Sequence, residues 1–221
     1  MLLTETINNS ISAIQRKRTA QENKQSAEAY ASALAKLNSA SDKLKTTLKC
    51  ASALKERGIV NQPLMTAQTR DSLIECTNNC GKGLYDGTLT SDMVAVLKTK
   101  SESFSDQIQN AWSGAAAKYA SGTCGYLTII CNLTEDPLKS RALIDSINKK
   151  TASGLSVKSI DDLITDVEQA RKITKSFALN PTIEAFLKKV SLQQATLCDL
   201  TPEIYAWLQE KQVENKIKIR F

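Results

Sequence analysis

Chemistry in this chain has to come from thiols, carboxylates and lysines, because the sequence contains no histidine. That removes the commonest general base, the commonest imidazole metal ligand and any Ser-His or Cys-His nucleophile pair. Cys76 and Cys80 are four residues apart, so on a helix they share a face and offer two thiolates to a metal, with Cys124 and Cys131 as conceivable further ligands. No paired C-x-x-C accompanies them. The six cysteines, at 50, 76, 80, 124, 131 and 198, therefore read mostly as small buried hydrophobes in the thiol form, and no metal is assigned. The acidic group Asp161, Asp162, Asp166 and Glu168 has the composition of a metal-dependent nuclease centre. Helical spacing puts Asp162 and Asp166 on one face, but Asp161 and Glu168 do not complete a tight cage with them, and acids in a first turn already complement the positive helix terminus, so the group reads as terminal charge. CGKGLYDGT at 80–88 lacks the G-x-x-x-x-G-K-[ST] order of a phosphate cradle and follows a helix, which makes it a loop. No catalytic residue and no cofactor is assigned, and the chain is not expected to be an enzyme.

Charge is more informative. Residues 1–60 carry ten basic and five acidic side chains, leaving a surplus of one over the other 161 residues of a chain whose net charge is +6. Arg16, Lys17, Arg18 and Lys24 are the nucleic-acid candidates, able to bind phosphates by counterion release. They equally suit an acidic protein surface or a solvated helix face. No aromatic residue interleaves with them, which weakens single-strand stacking.

These charges sit on a segment, residues 3–57, with no Pro and no Gly and rich in Ala, Leu, Lys, Gln, Glu and Ser, which predicts one long helix or two nearly continuous ones. Ile7, Ile11 and Ile14 form one seam; Leu34, Leu37, Leu44, Leu48 and Ala51 form another, with Ser41 at the intervening position. QRKRTAQENKQSAE at 15–28 separates them, and the two seams differ in phase. Unbroken, such a helix reaches roughly 80 Å. Gly58 and Pro63 in ERGIVNQP end the element and start the next. Further helices are expected from about Leu64 to Cys80 and from Ser91 to about Tyr119. YLTIIC at 126–131 fits a strand or a helical stripe and is read as helix. Asp136-Pro137, Asn180-Pro181 and Thr201-Pro202 each place a capping oxygen before a first-turn proline, and a fourth start is expected at Ser159.

KIKIRF at 216–221 departs from this pattern, because Ile217, Ile219 and Phe221 alternate with Lys216, Lys218 and Arg220 as in a half-buried strand. It can pair with YLTIIC, add to a partner's open sheet edge by β-augmentation, or lie on the bundle as a frayed tail. The partner option is preferred. With its long arm and bundle, the segment LTPEIYAWLQEKQVENKIKIRF at 200–221 resembles small helical accessory subunits encoded beside ATPases or nucleases in bacterial phage-defence operons. The resemblance implies an adaptor role and supplies no site residue.

The expected fold is all-α: a coiled-coil-like helical arm over 1–57, a middle helical region over 58–135, a C-terminal helical bundle over 136–215 and a short β-strand over 216–221. The expected function is a non-catalytic adaptor or scaffold subunit. It would bind protein partners, or a second copy of itself, through Leu34, Leu37, Leu44 and Leu48 on the arm and through Ile217, Ile219 and Phe221 at the tail. The alternative is a nucleic-acid-binding helical module. The acidic Glu5 and the absence of a long apolar stretch point to a cytoplasmic protein with no membrane partner.

Overall fold

A segment without Pro or Gly has nothing to interrupt its i→i−4 hydrogen bonds, and α1 runs unbroken over Leu2–Glu56 in the computed structural model. That model describes residues 2–219, and within them all side chains except those of residues 2–11, Ala13 and Ala20. The Ile7 and Ile11 side chains and Phe221 lie outside the described residues. Gly58 stops α1 as expected: its φ of +66° lets Gly58 N–H reach Lys55 O and Ile59 N–H reach Leu54 O, both at 3.0 Å.

Helix α2 spans Ala67–Tyr85, where Thr66 accepts the Thr69 N–H at 3.1 Å. The expected loop at 80–88 is thus mostly helix, and Gly81 and Gly83 lie inside it. Gly83 has a packing reason to be glycine. A Cβ there would sit 3.1 Å from Met93 Cε and 3.2 Å from Leu89 Cα. Helix α3 spans Ser91–Ile130, eleven residues beyond its expected end at Tyr119. Gly122 and Gly125 do not break it; each lowers helix propensity by about 1 kcal/mol, whereas buried Ala116, Ala120, Leu127 and Ile130 anchor the same stretch. YLTIIC is therefore helical through Ile130, and a 3-10 turn, Cys131–Leu133, follows.

Helices α4 (Pro137–Thr151), α6 (Pro181–Ser191) and α7 (Pro202–Glu210) begin at the three Pro signals. Asp136, Asn180 and Thr201 accept the i+3 N–H at 2.9, 2.9 and 3.3 Å. Helix α5 (Val157–Ser176) starts earlier than Ser159: Ser156 is the cap and Ser159 the reciprocal third residue, each side chain bonding the other's backbone N–H.

No β-strand occurs among the described residues, so the expected strand is corrected over 216–219, and Arg220 and Phe221 lie outside the described residues; Thr196 is a β-bridge position. Lys216 closes a 3-10 turn, Glu214–Lys216, instead of opening a strand. Ile217 has extended backbone, φ −100° and ψ 129°, but residues 217–219 join no ladder among the described residues, and an extended segment becomes a strand only when another supplies its hydrogen bonds.

The chain divides into two compact units, Met1–Ala51 with Gln62–Ile108 and Ser52–Asn61 with Gln109–Phe221. The first is built on a cluster of Ala33, Leu37, Cys80, Leu89, Val94 and Leu97, with Tyr30, Leu44, Cys76 and Met93 packed against it. In the second, the α4–α5 pair is central. Trp112 Nε1–H donates to Ser153 O at 3.2 Å, Trp207 Nε1–H to Phe177 O at 2.9 Å, and the Leu155 N–H to Gln109 Oε1 at 2.9 Å. The two indole bonds satisfy the polar ends of large buried side chains. No described helix is long and apolar enough to cross a membrane.

Candidate functional site

Every described side chain of α1 from residue 12 to 29 is exposed, with Ile14 at 62%. Arg16, Lys17, Arg18 and Lys24 all lie in this stretch. At 100° per residue they do not converge: Lys17 and Lys24 share a face two turns apart, while Arg16 and Arg18 flank Lys17 on either side. Lys24 sits 3.9 Å from Glu28, an i,i+4 pair on an exposed face. Among the described residues Arg16, Lys17 and Arg18 make no ion pair. Ala, Gln, Glu and Lys propensity and one such pair are the local supports visible for this turn-by-turn structure, while the Thr19 hydroxyl bonds back to Gln15 O at 3.1 Å.

The second seam is differently placed. Leu37 is buried and Leu44 packs against the same cluster, so α2 and α3 of the first unit already cover them. Leu37 is a core residue, a correction to its expected place in the docking seam, and Leu44 is partly buried at the edge of the cluster. Leu34 is half-buried and Leu48 is 43% exposed, at the rim. The buried stripe runs through Ala33, Leu37, Ala40, Thr47 and Cys50. Its small residues, on the 3.6-residue period, were the signal that a reading by leucines alone passes over.

In the second unit the tail lines a cleft of about 800 Å³, bordered by the turn ahead of α4, the last turns of α5 and residues 210–216. Its polar groups are largely committed. Asp136 caps α4, Glu210 pairs with Lys211 at 2.9 Å, and the Thr134 and Ser140 hydroxyls bond each other at 3.0 Å. Lys216 Nζ donates to Leu133 O at 3.0 Å and Thr134 O at 2.8 Å, a contact that the sequence does not signal. Ile217 and Ile219 are half-buried. Lys139 and Lys172 line the cleft without an ion pair among the described residues.

The other constellations resolve into structural roles. Asp161 pairs with Arg57 at 2.5 Å, and Asp166 accepts from Lys150 at 2.5 Å and from Ser146 at 2.6 Å, so two of the four acids already have basic partners. All six cysteines are thiols. Burial, and then the neighbouring Cys76, raises the Cys80 thiol above its ordinary value, and burial raises Cys124, a direction that disfavours the thiolate in both. No three or more Cys, Asp or Glu side chains among the described residues are grouped to hold a metal ion. Outside these clusters, the Lys188 ammonium lowers Glu184, and Lys189 with the Thr196 backbone lowers Asp199 to about 2. Both acids are salt-bridged surface groups.

No family model, no curated protein and no solved structure matches this chain.

Proposed function

We propose that the chain is a non-catalytic helical adaptor whose N-terminal helical stretch docks a protein partner, with the segment from Ile217 onward as a second contact. One observation carries this reading: from residue 12 to 29 α1 is a continuous helix whose described side chains are all exposed. Helices in folded proteins owe most of their stability to a packed face, and a helix polar all round commonly bridges between bodies. The alternation of Ile217 and Ile219 with Lys218 suits addition to a partner's sheet edge, where main-chain hydrogen bonds supply affinity and pockets supply selectivity. The resemblance of residues 200–221 to phage-defence accessory subunits agrees with a subunit role.

A photo-crosslinking residue at position 14 or 21 tests the docking surface, with one at exposed Lys149 as the control. Crosslinks to a second polypeptide, another copy included, that depend on positions 14 and 21 are expected. Products confined to the same chain would refute the reading.

The exposure of Arg16, Lys17, Arg18 and Lys24 favours nucleic acid as the second reading. On that reading, duplex or single-stranded DNA binds at low salt, affinity falls steeply as salt rises, and alanine at all four positions abolishes it. Affinity that is absent, or insensitive to the four substitutions, removes it.

A further inference from the structure

We propose that the cleft of the second unit binds a small molecule carrying a phosphate group on an apolar body, with Lys139, Lys172 and Lys216 facing the phosphate. The cleft, about 800 Å³, has the size of a small-molecule site, and gaps between the helices of a bundle are a common place for one. Its lining is of two kinds. Ile173, Phe177 and Val213 supply an apolar wall of buried and half-buried side chains, and the remainder is largely charged. The proposal does not rest on the adaptor reading.

Two of the lysines suit an oxyanion for separate reasons. Lys216 Nζ is held by two neutral acceptors, Leu133 O at 3.0 Å and Thr134 O at 2.8 Å. Carbonyls orient an ammonium without cancelling its charge, and the third of its N–H donors has no acceptor among the described residues. Lys139 stands in the first turn of α4, which carries no acid. A cation at the positive end of a helix dipole is unfavourable, and a bound anion would reverse that cost. Lys172 lies toward the C-terminal end of α5, where a cation is favoured in any case, so Lys139 and Lys216 are the diagnostic pair. Opposing them are Glu135 and Asp136; Glu210 is paired with Lys211 at 2.9 Å, and Asp136 is engaged as the α4 cap. A phosphate monoester brings between one and two negative charges at neutral pH and three acceptor oxygens, which matches three ammoniums better than the single charge of a carboxylate.

The experiment is titration of the isotope-labelled full chain with phenyl phosphate at low salt and neutral pH, read by amide NMR shifts. Saturable shifts are expected around the cleft, at Thr134, Lys139, Ile173 and Val213. K139M and K216M should each weaken binding about fivefold or more, the scale of a lost charge-assisted hydrogen bond at a partly solvated site. K149M, at an exposed position of α4 outside the cleft, should not change it. Lys139 is exposed and its side chain makes no hydrogen bond among the described residues, so K139M keeps the test sound even where K216M disturbs the fold. Inorganic phosphate should bind more weakly by about fivefold, because it leaves Ile173 and Phe177 uncovered. No saturation up to about 10 mM overturns the proposal. So does unchanged affinity in K139M, or an equal loss in K149M, which would be a diffuse charge effect. Benzoate binding as tightly as phenyl phosphate overturns the phosphate assignment, inorganic phosphate doing so overturns the apolar body, and a phosphoserine peptide binding more tightly overturns the small molecule.

Discussion

Single residues show where this fold tolerates an imperfect arrangement and where it does not. Ser101 is 1% exposed, and its hydroxyl has no hydrogen-bond partner among the described residues. A buried hydroxyl without a partner is destabilising by about 1–3 kcal/mol. Ser101→Ala should therefore leave stability unchanged or raise it, by up to about 1 kcal/mol in denaturant titration. Asp199 behaves in the opposite sense. Its carboxyl is lowered from 3.8 to about 2, first by the Lys189 bond and then by Thr196, so the folded state favours the ionised form. For a depressed carboxyl the stabilisation is complete above the unfolded value and is lost as pH falls through the folded one. Melting of wild type and Asp199→Asn should differ by a constant amount above pH 4, and the gap should close toward pH 2. A gap that stays constant through that window would show the ion pair has no weight in stability.

At the scale of elements, the two leucine types on α1 should separate cleanly. Leu37 belongs to the first unit's cluster, and Leu48 sits 43% exposed at its rim. Leu37→Ala should lower stability by about 2–4 kcal/mol through lost burial and a residual cavity. Leu48→Ala should change it by no more than about 0.5–1 kcal/mol. Equal effects would mean that the leucine seam, and not the Ala33–Leu37–Ala40 stripe, faces the core. Helix starts were legible because capping is a local property. Asp136, Asn180 and Thr201 each need only a side-chain oxygen and a following proline. Helix ends were harder to read. Gly81, Gly83, Gly122 and Gly125 all look like stops, yet each lies within a helix, because packing of the residues between them outweighs a modest propensity deficit.

At the scale of the molecule, every described side chain before residue 30 is exposed. A chain starting at Glu28 is therefore expected to keep its melting midpoint within about 2 °C of the full chain, by calorimetry or circular dichroism, since almost no described burial is lost. Loss of cooperative unfolding would mean that the arm supports the fold instead of serving a partner. Combined with the crosslinking result, this measurement separates an arm kept for binding from one kept for stability.

Composition and periodicity by themselves determined the helical class, the long first helix, the stop at Gly58 and the proline-marked starts, because these depend on dihedral preferences and on hydrogen bonds spanning three or four residues. Tertiary structure decided the rest. It buried Leu37 beneath α2 and α3, carried α2 and α3 through their glycines, and turned Lys216 onto the carbonyls of Leu133 and Thr134 instead of into a strand. Each of those outcomes depends on which distant surface is available to cover an apolar face or satisfy a polar atom. Such pairings join residues dozens of positions apart, and no local pattern encodes them.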